Sequence, residues 1–396
     1  MVNARAFAAS LAFTSLFGAV VAHPGDSQEE VRRELEAHKA ARPFARRAIN
    51  TCASAPKTAA LKVRSVARRA EAADVLRQKR GITDKSLKSK RDSAGFEKWS
   101  KVDHDASSLG YTTDTPLDTI FDSNSTVALV PEVTIGPYWV AGELIRTDLT
   151  EGQGGVPVHL DLQFVDINSC EPIPKNTFID LWACNATGIY SGVSARGQGG
   201  LNTTHGRGVQ LTDEDGVVQF DTIFPGHYTG RTPHFHLMST YNATLLPNST
   251  YVSDSGAPSH IGQLFFDQDL ITEVETLEPY VSNEQSLTLN SQDFIGISEA
   301  TTDYDPFVDY VRLGDDLSDG LLMYITVFVD TTANYTKNRQ AAAHYYQGGG
   351  VSNGNGGFPP GNGSFPGNGT FPPGGPGGPG GPGGFPGGFP PPPPRA

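Results

Sequence analysis

Cysteine is scarce: three residues in a chain of 396, which excludes a small scaffold held together by disulfides. Cys170 and Cys184 flank a short apolar stretch, and a bridge between them would close a loop of about 15 residues, contributing roughly 3 kcal/mol on the chain-entropy model. Two free buried thiols are the alternative, and Cys52 is left over. Long apolar runs are also missing beyond the N-terminus. Residues 1–22 have the pattern of a secretory signal, with Arg5 ahead of an apolar stretch to Val21 and a small-residue cleavage site at Val20-Val21-Ala22. Nothing later is long and apolar enough to cross a bilayer, and no hydrophobic tail suggests a lipid anchor. Eight Asn-x-Ser/Thr sequons (Asn124, Asn185, Asn202, Asn242, Asn248, Asn334, Asn362, Asn368) fit a secreted, extracellular glycoprotein.

Positive charge is scarce everywhere except in one segment. Residues 23–91 hold 18 Lys and Arg against 8 Asp and Glu, whereas the rest of the mature chain carries 11 against 35. Secretion argues against a nucleic-acid partner, so the basic segment is expected to pair with the chain's own acidic body. Aromatics, Pro and Gly are sparse there. Apolar positions at Val31/Leu35 and Val63/Val66/Ala67/Ala70 fall at helical spacing, predicting one or two helices. The dibasic pairs Lys79-Arg80 and Lys90-Arg91 leave two readings open: a removable pro-region, or a retained helical arm that supports a homodimer.

Residues 92–124 read as a linker. From about 125 to 335 short β-branched and aromatic runs alternate with Gly, Asn, Asp and Pro: 156–165, 177–182, 217–220, 234–238, 261–266 and 321–329. Closely spaced strands with little helical pattern predict an all-β core, a β-sandwich. Residues 348–396 are Gly/Pro-rich without the strict three-residue period of collagen, so they are expected to form a disordered tail. Such a tail could be passive or could contact a cell wall or matrix.

Within the strand region stand Tyr190, Tyr228, His234 and His236. His-x-His on an extended strand puts both imidazoles on one face. Two phenols and two imidazoles form a hard, anionic donor set suited to a ferric ion rather than zinc or copper(I). A phenol that ordinarily ionises near pH 10 (about its free value) does so readily once a highly charged cation is its partner.

The surrounding text resembles the intradiol ring-cleavage dioxygenase family. The resemblance runs through residues 133–140 with 143–148, Ile179-Asp-Leu-Trp182 with Gly188-Ile-Tyr190, Arg207-Gly with 212–216, and most specifically residues 225–237. It covers roughly residues 125–335 and is closest to the secreted fungal branch. It implies a β-sandwich holding non-haem Fe(III) on Tyr190, Tyr228, His234 and His236, with a small aromatic diol and O2 as substrates. The ring would open between the two hydroxyls to a muconate-type diacid. Tyr228 would also leave the metal to take a substrate proton, Arg231 would stabilise charge on the ring, and Gln263 would hydrogen-bond the substrate region. Relatives often have His where Ala183 sits, a departure that bears on substrate contacts. Tyr138 and residues 191–202 are candidates for specificity, while the substrate itself could be catechol, hydroxyquinol or protocatechuate.

Two other readings compete. A His-x-His oxygenase of another class would need a nearby downstream carboxylate, and none occurs from His236 to Ser253. A non-catalytic, glycosylated β-sandwich adhesion module would treat both tyrosines as core, the common role of strand aromatics. His205 and His227 are expected to be supporting or surface residues, not ligands.

Overall fold

Alternation decides the fold. In the computed structural model, residues 51–52, 55–82, 104–105, 126–127, 135–252, 255–299, 305–346 and 348–354 are described. The expected signal segment, residues 23–50, most of the linker, Lys90-Arg91, three of the sequons and nearly all of the tail lie outside them. In chain order the regular elements are α1 (Pro56–Arg80), β1 (Thr126–Val127), β2 (Val140–Ala141), β3 (Pro157–Asp166), β4 (Phe178–Trp182) and β5 (Arg207–Leu211). Next come β6 (Val217–Ile223), β7 (Phe235–Tyr241), β8 (Thr244–Leu245), β9 (Tyr251–Val252), β10 (Ala257–Leu264), α2 (Gln268–Val274) and α3 (Phe294–Glu299). The remainder are β11 (Asp309–Arg312), β12 (Leu321–Val329), β13 (Ala343–Tyr346) and β14 (Gly349–Ser352).

The first sheet runs β1-β12-β3-β6 with β11 also on β12, and the second runs β10-β7-β4-β5. Every second residue of the long strands faces between them: Val158, Leu160, Leu162 and Phe164 of β3, Leu321, Met323, Ile325 and Val327 of β12, Ile179 and Leu181 of β4, Phe235 and Leu237 of β7. Two sheets sharing one dry core are the expected β-sandwich. Fully burying each such side chain contributes about 1.5–3 kcal/mol, and the two-residue period sends the intervening side chains to the outer faces.

The outer face of the first sheet is covered by α1. This helix starts with Pro at its first turn and ends on Gly81 at φ 68, a left-handed position that suits glycine. Its buried stripe is Leu61, Ser65, Val66, Arg69, Ala70, Ala73, Leu76 and Arg77, packing on Val311, Leu313, Leu322 and Tyr324. Val63 and Ala67, expected on the apolar face, point to solvent, because the stripe is set by the 61-to-76 spacing and includes arginines. Asp161 on β3 lies beneath the helix with no exposed surface. It accepts from Arg68 Nε (2.7 Å), Arg69 Nε (3.0 Å) and Gln219 Nε2 (3.0 Å). Arg64 pairs with Asp215 and Lys57 with Glu171. The basic segment and the acidic body therefore do meet.

Two expectations are corrected. The disulfide joins Cys52 to Cys170, 118 residues apart, and Cys184 is a free, buried thiol that donates to the Gly226 carbonyl at 3.2 Å. Cys170 faces the start of α1, whereas Cys184 packs among Trp139, Trp182 and Tyr190, so sequence proximity misled. The tail also does not begin at residue 348: Gly349–Ser352 pairs antiparallel with β13, which in turn pairs parallel with β2.

Candidate metal centre

The outer face of the second sheet carries the other polar cluster. Cross-strand register places Trp182, His236 and Gln263 in one row across β4, β7 and β10. His236 stacks on Trp182 with ring centroids 4.9 Å apart and planes 4° from parallel. His234 precedes β7 by one residue, and its Nε2 lies 3.0 Å from that of His236. Tyr228 Oη is 3.3 Å from His234 Nε2. Tyr190 completes the group, its ring 5.6 Å from Tyr228 and 6.2 Å from His236. The sequence-predicted ligand set thus converges, and all four residues are buried.

Local structure fixes each donor. His234 Nδ1 lies 2.6 Å from the Thr232 carbonyl; a carbonyl can only accept, so Nδ1 carries the proton and Nε2 offers its lone pair to the centre. Tyr190 follows a turn built by Asn185, whose Oδ1 accepts from Thr187 N, Thr187 Oγ1 and Ile189 N. Gly188 within it sits at φ 75, and a Cβ there would lie 2.1 Å from the His227 carbonyl oxygen. Only glycine allows that approach, which brings the Tyr190 turn against the segment carrying Tyr228. The Tyr190 amide donates to Gln198 Oε1 at 2.6 Å.

Burial pushes both phenols above their ordinary range, and their proximity to each other raises Tyr190 further. Alone they would stay neutral; a multiply charged cation reverses that preference. Among the described residues no three His, Cys, Asp or Glu side chains form a metal-holding group, so a metal at this point would need the phenols. Two hard phenolate oxygens beside two imidazole nitrogens are a donor set that fits a ferric ion.

Arg231 is fully enclosed. Its Nε donates to Asp293 Oδ2 at 2.8 Å and its Nη2 to Gln263 Oε1. Burial opposes the arginine charge, but Asp293 outweighs it and raises the pKa. The Gln263 Nε2 is buried without a hydrogen-bond partner, leaving a donor beside His236. Asp293 was not foreseen. Besides Arg231 it accepts from Thr232 N, and its Oδ1 accepts from Ile295 N and Gly296 N at the start of α3. An Asp just ahead of an apolar helical turn is a capping signal, but nothing in the sequence ties it to Arg231.

The other candidates sort clearly. His227 is buried between Glu275 (Nδ1, 2.8 Å) and the Gln285 carbonyl (Nε2, 2.9 Å), so both ring nitrogens are engaged away from the centre. His205 is buried with Nε2 3.4 Å from the Ile189 carbonyl oxygen. Neither is at the surface. Ala183 faces the inter-sheet core, so a histidine missing there does not change the wall of the site. Tyr138 lies 4.9 Å from the Tyr190 ring. Asn202, at the end of the other specificity candidate, accepts from Gly350 N of β14 at 3.3 Å.

A family model described as Dioxygenase matches residues 135–287. Among curated proteins no significant sequence match was found. Similar solved structures include an intradiol ring-cleavage dioxygenase from Tetranychus urticae, at 28% identity over 52% of this chain and 96% of that one, with a TM-score of 0.43. A catechol 1,2-dioxygenase from an Acinetobacter species matches at 18% identity over 52% and 63% of the two chains, with a TM-score of 0.33. A hydroxyquinol 1,2-dioxygenase from Pseudomonas putida matches at 17% over 54% and 70%, with a TM-score of 0.33.

Proposed function

The chain belongs to the intradiol ring-cleavage dioxygenase family, and from that premise we propose that it is a secreted, non-haem Fe(III) enzyme opening catechol-type rings between their hydroxyls with O2. The observation that carries this reading is the convergence of Tyr228 Oη and the His234 and His236 Nε2 atoms within 3.3 Å steps, with Tyr190 alongside. When bound, ferric iron would supply Lewis acidity that draws electron density from a chelated diol and makes a ring carbon reactive toward O2.

The chain's own groups account for the rest. A bound diol would release two protons: one to the Tyr228 oxygen, which would be a phenolate while a ferric ion is held, and the other to hydroxide. Arg231 presents a fixed cation, braced by Asp293, toward negative charge gathering on the ring. The free Gln263 Nε2 donates to an oxygen of the substrate. Trp182 holds the His236 ring in plane, and burial excludes bulk water. An oxidising compartment is supported by the Cys52–Cys170 disulfide, together with the sequons and the N-terminal pattern.

Oxygen uptake by the purified full chain, measured on catechol, hydroxyquinol and protocatechuate with product absorbance followed, tests the reaction. Stoichiometric O2 consumption with a cis,cis-muconate-type product is expected from at least one diol. Ring opening outside the hydroxyl pair, or no turnover of any diol by iron-loaded protein, overturns the proposal.

A further inference from the structure

Behind Tyr190 lies a buried ion pair that the proposed reaction does not use. Arg207, opposite Trp182 at the end of β5, has no solvent exposure. Its Nε donates to the Ser191 carbonyl (3.0 Å) and hydroxyl oxygen (3.0 Å), and its Nη2 to the same carbonyl (2.7 Å). Ser191 is the residue after Tyr190, and its hydroxyl donates to the His205 carbonyl at 2.6 Å. The guanidinium carbon stands 5.8 Å from the centroid of the Tyr190 ring. Tyr138 lies against the same ring.

Glu143 answers that cation without touching it well. Its Oε1 is 3.8 Å from Arg207 Nε, and both carboxylate oxygens, like Arg207 Nη1, are buried without a hydrogen-bond partner. Burial pushes the Glu143 carboxyl up to about 7, against the pull of Arg207 and Arg146. Burying two charges so loosely coupled costs several kcal/mol that apolar side chains would avoid. The cost is understandable if the cation acts on what it faces, namely the backbone after Tyr190 and the Tyr190 ring.

We propose that Arg207, balanced by Glu143, is a positioning residue that sets the angle of the Tyr190 phenol and, when iron is bound, its electron-donating strength. The claim rests on the iron reading above. A fixed cation near the ring draws electron density from a phenolate, and two N–H bonds to Ser191 hold the backbone that aims it. Outer partners of this kind are worth about 10- to 100-fold in metal affinity.

The test uses full-length wild type, R207Q, R207K and E143Q, loaded with Fe(III). Iron affinity, the wavelength of the tyrosinate charge-transfer band and thermal stability are measured for each. R207Q is expected to lose about 10- to 100-fold in iron affinity with a moved band, R207K to recover part of both, and E143Q to show a smaller change in the same direction. A purely structural role would lower thermal stability alone. Folded R207Q with wild-type affinity and an unmoved band overturns the inference; should R207Q not fold, R207K and E143Q are judged by the same two readings. A wild type that binds Fe(III) without the band defeats the iron reading itself, a failure separate from an unmoved band in the variants.

Discussion

The two outer faces of the sandwich differ in what their buried charges sit beside. Under α1, Asp161 is met by Arg68, Arg69 and Gln219; burial resists its ionisation, but the two arginines hold its pKa far below the usual carboxylate range. Arg69 also lies over the Tyr324 ring at 4.6 Å. On the far face, the Gln263 amide, the Trp182 indole N–H, Arg207 Nη1 and both oxygens of Glu143 have no hydrogen-bond partner. A polar group buried for structure is normally satisfied. Unpartnered buried atoms occur on the first face as well, at Arg69 Nη2 and His159 Nε2. What distinguishes the second face is that two of its unpartnered donors, Gln263 Nε2 and Trp182 Nε1, belong to residues flanking His236.

Breaking the second face should give the largest effect. His236→Ala removes one of four donors and is expected to lower iron affinity by about 100-fold or more, beyond the loss an outer partner causes, and to abolish ring cleavage. Tyr228→Phe should abolish most activity while keeping more iron. Metal analysis and oxygen uptake check both; full iron and full activity in His236→Ala would refute the ligand assignment.

On the first face, effects should fall on stability and leave the colour unchanged. Cys52→Ser releases a cross-link spanning 118 residues, worth roughly 5 kcal/mol on the chain-entropy model. The same bridge predicts that a chain cut after Arg80 keeps residues 52–80 attached until reduced, which non-reducing against reducing intact mass would show. A fragment lost without reductant would contradict the pairing and favour the removable pro-region.

Asp161→Asn leaves Arg68 and Arg69 facing a neutral amide and should cost about 3 kcal/mol in urea unfolding. Because the Asp161 pKa is lowered on folding, its contribution is present above the unfolded value near 4 (about the free carboxyl) and is lost as pH falls through the folded one. The variant should therefore show a flatter acid limb.

The smallest effect concerns His104, held between Asp267 (Nδ1, 2.6 Å) and Asp305 (Nε2, 2.8 Å). Burial disfavours its charge, yet the two carboxylates raise its pKa well above the ordinary value. That stabilisation is full below about 6.5, the unfolded value, and disappears as pH rises through the folded one. His104→Gln should remove this alkaline slope in stability without altering iron binding.

The sequence disclosed what depends on local pattern. Two-residue alternation revealed β3 and β12, and the His-x-His run with its tyrosines singled out four residues that the fold brings together. It hid what depends on long-range packing. Cys170 lies 14 positions from Cys184 in the chain, yet its partner is Cys52, 118 residues away and just ahead of the helix that covers the first sheet. Strand β5, with Arg207 at its head, is five residues long and contains a Gly, which weakens its strand signature. Strand β14 is hidden in glycine, where the backbone pairs with β13 without any side-chain signature. Asp293 is one acidic residue among 43 Asp and Glu, and only its position beside Arg231 distinguishes it.

The visible spectrum of the full chain during titration with Fe(III) tests the central claim most directly. A broad tyrosinate charge-transfer band that saturates at one ion per chain, and is lost or displaced in Tyr190→Phe and Tyr228→Phe, is the predicted result. Stoichiometric iron without that band, or a band unaffected by either substitution, would contradict it.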